Sequence, residues 1–193
     1  MRSIVGQESA RAREARFEML MRAVADPLHR YLLRRADAGS VDDILAETML
    51  VLWRRLDDVP GLATGPDVPA DDVLPWCYGV ARGCLANARR AEGRRLRLVE
   101  RLTRAVLPPQ RPDDADHTAL HDALAALSAR DREVVLLWAW EELTPRAIAE
   151  VTGLTPNAVS IRLHRGKKRL AALLERKNDT HAGRTTRAGR SAR

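Results

Sequence analysis

Apolar residues recur at three- and four-residue spacings along most of this chain, and no segment alternates convincingly enough to be a strand. A first helix is expected from about Ala10 to Arg35, with Phe17, Leu20, Met21, Val24, Leu28, Tyr31 and Leu32 on one face and Pro27 placed to kink or divide it. Ser40 caps a second helix running to Leu56, whose stripe is Ile44, Leu45, Thr48, Met49, Leu52, Trp53 and Leu56. Asp57 to Val73 carries Pro60, Gly61, Gly65, Pro66 and Pro69 and reads as a long loop, functional or mobile. Leu74 or Pro75 then opens a third helix with Trp76, Val80, Ala81, Cys84, Leu85 and Ala88, continuing into an Arg-rich segment. Pro108, Pro109, Pro112, Asp113, Asp114 and Asp116 make a stiff polar linker. Beyond it, Leu120, Leu124 and Leu127 mark a short helix, and Ser128 with Asp131 caps another that buries Val134, Val135, Leu137 and Trp138. The expected architecture is all-α, with helical domains at 10–98 and 119–176, a linker at 99–118, and a disordered basic tail at 177–193.

The segment TPRAIAEVTGLTPNAVSIRLHRGKKRL, Thr144 to Leu170, carries the strongest chemistry. Thr144 can cap a helix through its hydroxyl, and Pro145 suits the first helical position, where no backbone donor is needed. Thr155 and Pro156 repeat the pair and mark a second helix start. Gly153 falls where the intervening turn needs a left-handed or crowded backbone, and Ala149 is small enough to let two helices approach. Val159 and Leu163 take the inner face of the second helix, leaving Asn157, Ser160, His164, Arg165 and Lys168 to point outward. Short helices split by glycine occur in any small helical domain. The register of caps, small residue, glycine and inner valine favours a helix-turn-helix that reads a major groove.

Composition and charge then narrow the partners. The chain has 193 residues, room for one medium domain or two small ones, and a formal charge of +7 that suggests nucleic acid ahead of membrane. Eight Arg against two Glu lie between Arg82 and Arg104, whereas Asp57 to Asp72 holds five Asp and no base. These runs read either as two functional surfaces of opposite sign or as solvated faces. No apolar stretch approaches the roughly 20 residues that span a bilayer, so direct membrane insertion is not expected. Arg11, Arg13, Glu14 and Arg16 interrupt any secretory signal, so cytoplasmic residence is expected. Cys77 and Cys84 sit about 10.5 Å apart along a helix axis, too far to bridge, and read as packed core thiols. The five His are scattered, with no Gly-rich phosphate loop and no Ser-His-Asp or metal-ligand spacing. No catalytic residue, cofactor or metal site is expected.

In this order, three segments resemble the bacterial extracytoplasmic-function (ECF) sigma factors, the short type that keeps only the second and fourth conserved regions. VDDILAETMLVLWRRL, Val41 to Leu56, resembles the region that docks on a coiled coil of the largest polymerase subunit. PWCYGVARGCLANARRAEGRRLR, Pro75 to Arg97, resembles the segment that opens and reads the minus-ten element. Leu127 to Leu170 resembles the region that reads the minus-thirty-five element. The resemblance covers about residues 15 to 175. It implies polymerase docking by Asp42, Asp43, Glu47, Leu50 and Arg54, where acids steer association; on their own terms they also solubilise the helix and favour its N-terminal end. For the downstream element it implies Tyr78, Arg82, Asn87, Arg89, Arg90, Arg94 and Arg95, the arginines neutralising phosphates without reading sequence. The loop before that helix would hold an extruded base, with Trp76 and Tyr78 the only aromatics nearby. Trp76 reads as core and Tyr78 as either. For the upstream element it implies Thr155, Asn157, Ser160, Arg162, His164, Arg165 and Lys168.

The chain departs from the family pattern at Ala46, where Gln is usual, at Gly83 for Asn and at Ile161 for Ser; Asn87 stands where an acid is common, and the Pro/Gly-rich loop is longer. The partners implied are core RNA polymerase, promoter DNA and an anti-sigma factor. A stand-alone two-domain regulator acting as a dimer on a palindrome is the alternative. The two promoter elements lie on the order of 70 Å apart. A connector from Leu98 to Thr118 reaches roughly 65 Å fully stretched but averages about 25 Å as a free coil. Holding both elements therefore requires a third body that keeps the linker extended.

Overall fold

The computed structural model describes the backbone of residues 2–62, 70–102 and 118–188, and side chains within 10–62, 71–97 and 120–176. Helices α1 (Arg2–Leu33), α2 (Val41–Arg54) and α3 (Ala70–Leu102) lie in one compact unit, and α4 (Thr118–Ala125), α5 (Ala129–Ala139), α6 (Pro145–Thr152) as far as Ala149, and α7 (Pro156–Ala188) lie in a second. Among the described residues there is no strand.

In the N-terminal unit the three helices pack on one another pairwise. α1 contributes Leu20, Val24, Leu28, Tyr31 and Leu32, α2 contributes Val41, Ile44 and Leu52, and α3 contributes Val73, Cys77, Ala81, Cys84 and Leu85. Each buried Leu or Val contributes on the order of 1.5–3 kcal/mol relative to exposure. Thr48 lies in this core with no exposed surface, its hydroxyl donating to the Ile44 carbonyl at 2.7 Å. Pro27 neither divides nor ends α1. The helix carries buried residues on both sides of it, and shared packing offsets the lost backbone hydrogen bond.

α3 begins four or five residues before the expected start. Asp71 and Asp72 stand in its first turn, where carboxylates suit the positive end of the helix dipole, and Pro75 falls inside. The acidic run is therefore not a free surface. Asp57 pairs with Arg16 at 2.9 Å and Arg13 at 3.4 Å, and Asp58 pairs with Arg55 at 2.9 Å. Asp67 lies outside the described residues, as do the rest of 63–69 in the loop expected at 57–73 and most of the linker. α3 also runs on to Leu102, so residues 99–102 belong to helix rather than linker. Both cysteines are buried in this unit, and burial pushes the Cys77 thiol up to about 12.

In the C-terminal unit α4 and α5 both pack on α7. Ser128 caps α5, its hydroxyl accepting from the Asp131 N–H at 3.2 Å. Arg132 donates to the carbonyls of Leu124 at 2.7 Å, Ala125 at 2.6 Å and Leu127 at 3.2 Å, satisfying the free end of α4. Val134, Val135 and Leu137 are buried as expected, but Trp138 is 40% exposed, lying beneath the Lys167 ammonium at 4.1 Å from the ring centroid. α7 continues to Ala188, into the tail that composition marked as disordered. Adding turns to an existing helix costs far less than starting one, so the helix propagates through this polar segment.

α5 and α7 meet most tightly at Gly166, where an added β-carbon would stand 2.7 Å from Val135 Cγ2. Gly166→Ala should therefore lower stability by about 1–3 kcal/mol despite its better helix propensity, and Val135→Ala in the same chain should recover part of that loss. Glu142 adopts a left-handed backbone at φ 54, unusual for a residue with a β-carbon. Glu142→Gly should raise stability by about 1 kcal/mol. Urea unfolding of the variants beside wild type measures both shifts.

Candidate nucleic-acid interface

The second half of the C-terminal unit is assembled by local rules. The Thr144 hydroxyl accepts from the Ala147 N–H at 3.2 Å, and Pro145 opens α6. Gly153 turns the chain at φ 70, the left-handed conformation that only glycine adopts freely. The Thr155 hydroxyl then accepts from the Ala158 N–H at 3.2 Å, and Pro156 opens α7. Thr155 keeps its hydroxyl hydrogen available as a donor.

α7 presents two faces. Val159, Leu163 and Gly166 are buried, at i, i+4 and i+7. Asn157, Ser160, Ile161, His164, Arg165 and Lys168 are all exposed, at spacings of three and four that place them on one side of the helix. Ile161 belongs to this set although outward-pointing polar residues alone were singled out from the sequence. Its spacing from Asn157 and Arg165, four residues each way, was the signal that could have found it.

Arg162 does not belong to that face. Its guanidinium donates to Asp131 Oδ1 of α5 at 3.0 Å, and both side chains are largely withdrawn from solvent. Position 162 flanks the buried stripe, so a long cation there reaches the neighbouring helix. Burial pushes the Asp131 carboxyl upward. Hydrogen bonds from Ser128 and Arg162, with the charges of Arg162 and Arg165, outweigh it and hold the group below its ordinary 3.8. In the free chain Arg162 thus fastens α7 to α5.

On α3 the buried stripe ends at Leu85, and beyond it the arginines stand clear of the core. Arg89, Arg90, Arg94 and Arg97 border a shallow depression of about 370 Å³ around Gly93. Arg95 is exposed and Arg82 half-buried, while Arg89 also donates to the Arg35 carbonyl at 2.6 Å. Asn87 is exposed and accepts from Arg90. Tyr78 departs from expectation: it is 3% exposed, its ring 5.1 Å from that of Tyr31, and it offers no face for stacking a base. Its position one residue after Cys77 places it over α1, where a large ring fills the core. Trp76 is half-buried beneath the Arg55 guanidinium, 4.9 Å from its ring centroid.

α2 is likewise two-faced. Asp42, Asp43, Glu47, Leu50 and Arg54 are exposed, opposite buried Val41, Ile44, Thr48 and Leu52. Leu50 is 55% exposed at the centre of this otherwise charged strip. Asp43 and Glu47 also border an open groove of about 730 Å³ shared with Arg89 and Arg95 of α3.

The sigma-70 region 4 family model matches residues 117–170, spanning α4 to the first half of α7. Over 169 residues the chain is 31% identical to the ECF RNA polymerase sigma factor SigL of Mycobacterium tuberculosis, covering 81% of this chain and 89% of that one. The chain belongs to the ECF RNA polymerase sigma factor family. It is 32% identical to the RNA polymerase sigma-E factor of Streptomyces antibioticus over 137 residues, 60% of this chain and 76% of that one. The fold is shared with the sigma factor RpoE of Bartonella quintana, solved in complex with the anti-sigma factor NepR. That likeness has a TM-score of 0.59 and 19% identity, and covers 82% of this chain and 96% of the other. As a sigma factor the chain directs transcription initiation through DNA binding, and its family consists of non-enzymatic initiation factors. No helix among the described residues is long and apolar enough to cross a membrane.

The Asp131–Arg162 bond gives the sigma factor an acid-sensitive fastening. A carboxyl held below its unfolded value contributes stability that is complete above 3.8 and is lost as pH falls through the lower folded value. Asp131→Asn should remove about 1–3 kcal/mol at neutral pH and flatten the acid limb of stability below pH 4. Unfolding free energies of wild type and variant from pH 2 to 7 check both.

Proposed function

We propose that this sigma factor docks on core RNA polymerase through the exposed face of α2, reads the upstream promoter element with α7, and engages the downstream element with the arginine-bearing half of α3. The observation that carries this reading is the outward face of α7. It is a polar and cationic stripe on a helix that is capped, turned and fastened from behind, with the dimensions a major groove accepts. Asn157, Ser160, His164 and Arg165 contact base edges or the adjacent backbone, and Thr155 and Lys168 hold phosphates. Arg82, Asn87, Arg89, Arg90, Arg94 and Arg95 follow the downstream strands. The α2 strip suits docking because Leu50 supplies an apolar anchor between acidic Asp42, Asp43 and Glu47 and basic Arg54.

Phosphoryl transfer belongs to the polymerase, and no residue of this chain takes part in it. The protein works in the cytoplasm, where polymerase and promoter are. An anti-sigma factor is a further partner; the crystallised relative of the same fold supports that reading through its own inhibitor, NepR.

The purified chain should protect a full promoter weakly at physiological salt, and the holoenzyme should protect it tightly. Leu50→Asp should abolish association with core polymerase in a direct pull-down while leaving thermal unfolding within about 0.5 kcal/mol of wild type, since the side chain is exposed. Arg165→Ala should leave core binding intact and reduce promoter-specific transcripts about 5- to 150-fold, the range for one base-reading contact. Failure of the wild-type chain to associate with core polymerase would defeat the docking assignment.

A further inference from the structure

Every exposed residue on the outward stripe of α7 is polar or cationic except one. Ile161 is 51% exposed at the middle of that stripe, four residues after Asn157 and four before Arg165. The neighbouring hydroxyl does little to mask it, because Ser160 Oγ donates back to the Pro156 carbonyl at 3.0 Å and is drawn against its own helix. An isoleucine in a helix is held close to one side-chain rotamer, so its methyl groups are presented at a fixed place with little entropy left to lose. The position is intrinsically poor for helix stability, since a β-branched residue is less favourable there than alanine and its apolar surface stays in water.

The major groove offers a matching surface. Among the atoms that base pairs display there, donors and acceptors predominate, and the C5 methyl of thymine is the apolar projection. We infer that Ile161 is a specificity-determining residue that packs on the C5 methyl of a thymine within the upstream promoter element. The inference rests on α7 reading that element, as proposed above, and adds to it the identity of one base. Asn157 and Arg165, one turn to either side, place hydrogen-bonding groups next to the methyl contact. The helix thus reads a thymine flanked by bases recognised through their polar edges. A serine at position 161 lacks the apolar surface for this and would leave the position open to any pyrimidine.

Holoenzyme assembled from the full chain and core RNA polymerase of the source organism, challenged with promoter duplexes randomised in the upstream element, tests this. Wild type should enrich thymine at one position, and Ile161→Ser should lose that enrichment while keeping the preferences at the other positions. Replacing that thymine with deoxyuridine removes the methyl and nothing else. It should weaken wild-type promoter binding roughly fourfold, the effect of one buried methyl, and leave Ile161→Ser binding unchanged. Ile161→Val should retain the thymine preference, which separates loss of the contact from damage to the helix. Equal binding of thymine and deoxyuridine by wild type at every upstream position would overturn the inference and leave the reading helix intact. Absence of any upstream sequence preference by the holoenzyme would instead overturn the assignment of α7 itself, and this inference with it.

Discussion

The close approach of α5 and α7 is the constraint on which the proposed DNA-reading surface depends. At Gly166 the two helices leave no space for a β-carbon beside Val135. Val159 and Leu163 bury the same side of α7, and the Arg162–Asp131 bond fastens its flank. Together these contacts set the rotation of α7 about its own axis. Slipping that packing by a single residue would turn the helix by about 100° and carry the outward stripe away from any groove it could enter. The reading surface is what remains after the other side has been committed to the core.

The N-terminal unit uses the same division of labour along the length of one helix. The first part of α3 supplies Val73, Cys77, Ala81, Cys84 and Leu85 to the interior, and its later part projects arginines into solvent. A single helix thereby joins a packed core to the surface proposed to hold phosphates. The positive charge of the chain is concentrated there and on α7, where it raises the local attraction for polyanions. Four of the acids around the 57–73 segment have roles within the chain. Asp57 holds Arg13 and Arg16, Asp58 holds Arg55, and Asp71 and Asp72 start α3. Exposed pairs of this kind contribute little stability each.

Local grammar was readable from residues alone wherever a short-range rule decides the outcome. The Thr-Pro caps, the left-handed Gly153, the Ser128 cap and the buried stripes of α2 and α7 are each settled within a turn or two of helix. Reading failed where a side chain chose between solvent and a distant partner. Arg162 reads only as one more cation of α7 until Asp131, thirty-one residues away in sequence, is brought beside it. Tyr78 looks like a base-stacking aromatic until the ring of Tyr31 meets it. Trp138 looks like core until it is left at the surface under Lys167. Ile161 stands out in sequence only as a departure from serine, and its spacing from Asn157 and Arg165 places it on the outward face.

What the amino-acid order determined by itself was the helical character, the caps of α5, α6 and α7, the helix-turn-helix and the family to which these motifs belong, whereas Ser40, expected to cap α2, donates its hydroxyl to the Asp37 carbonyl instead. All of these follow from backbone propensity, hydrophobic period and motif spacing, which are properties of neighbours along the chain. Tertiary structure alone decided which cation fastens α7 and which are free for phosphate, which aromatic fills the interior, and which way the acidic run is used. Those outcomes depend on what lies across a helix–helix contact, and a long flexible side chain carries no record of its partner until packing brings the two together.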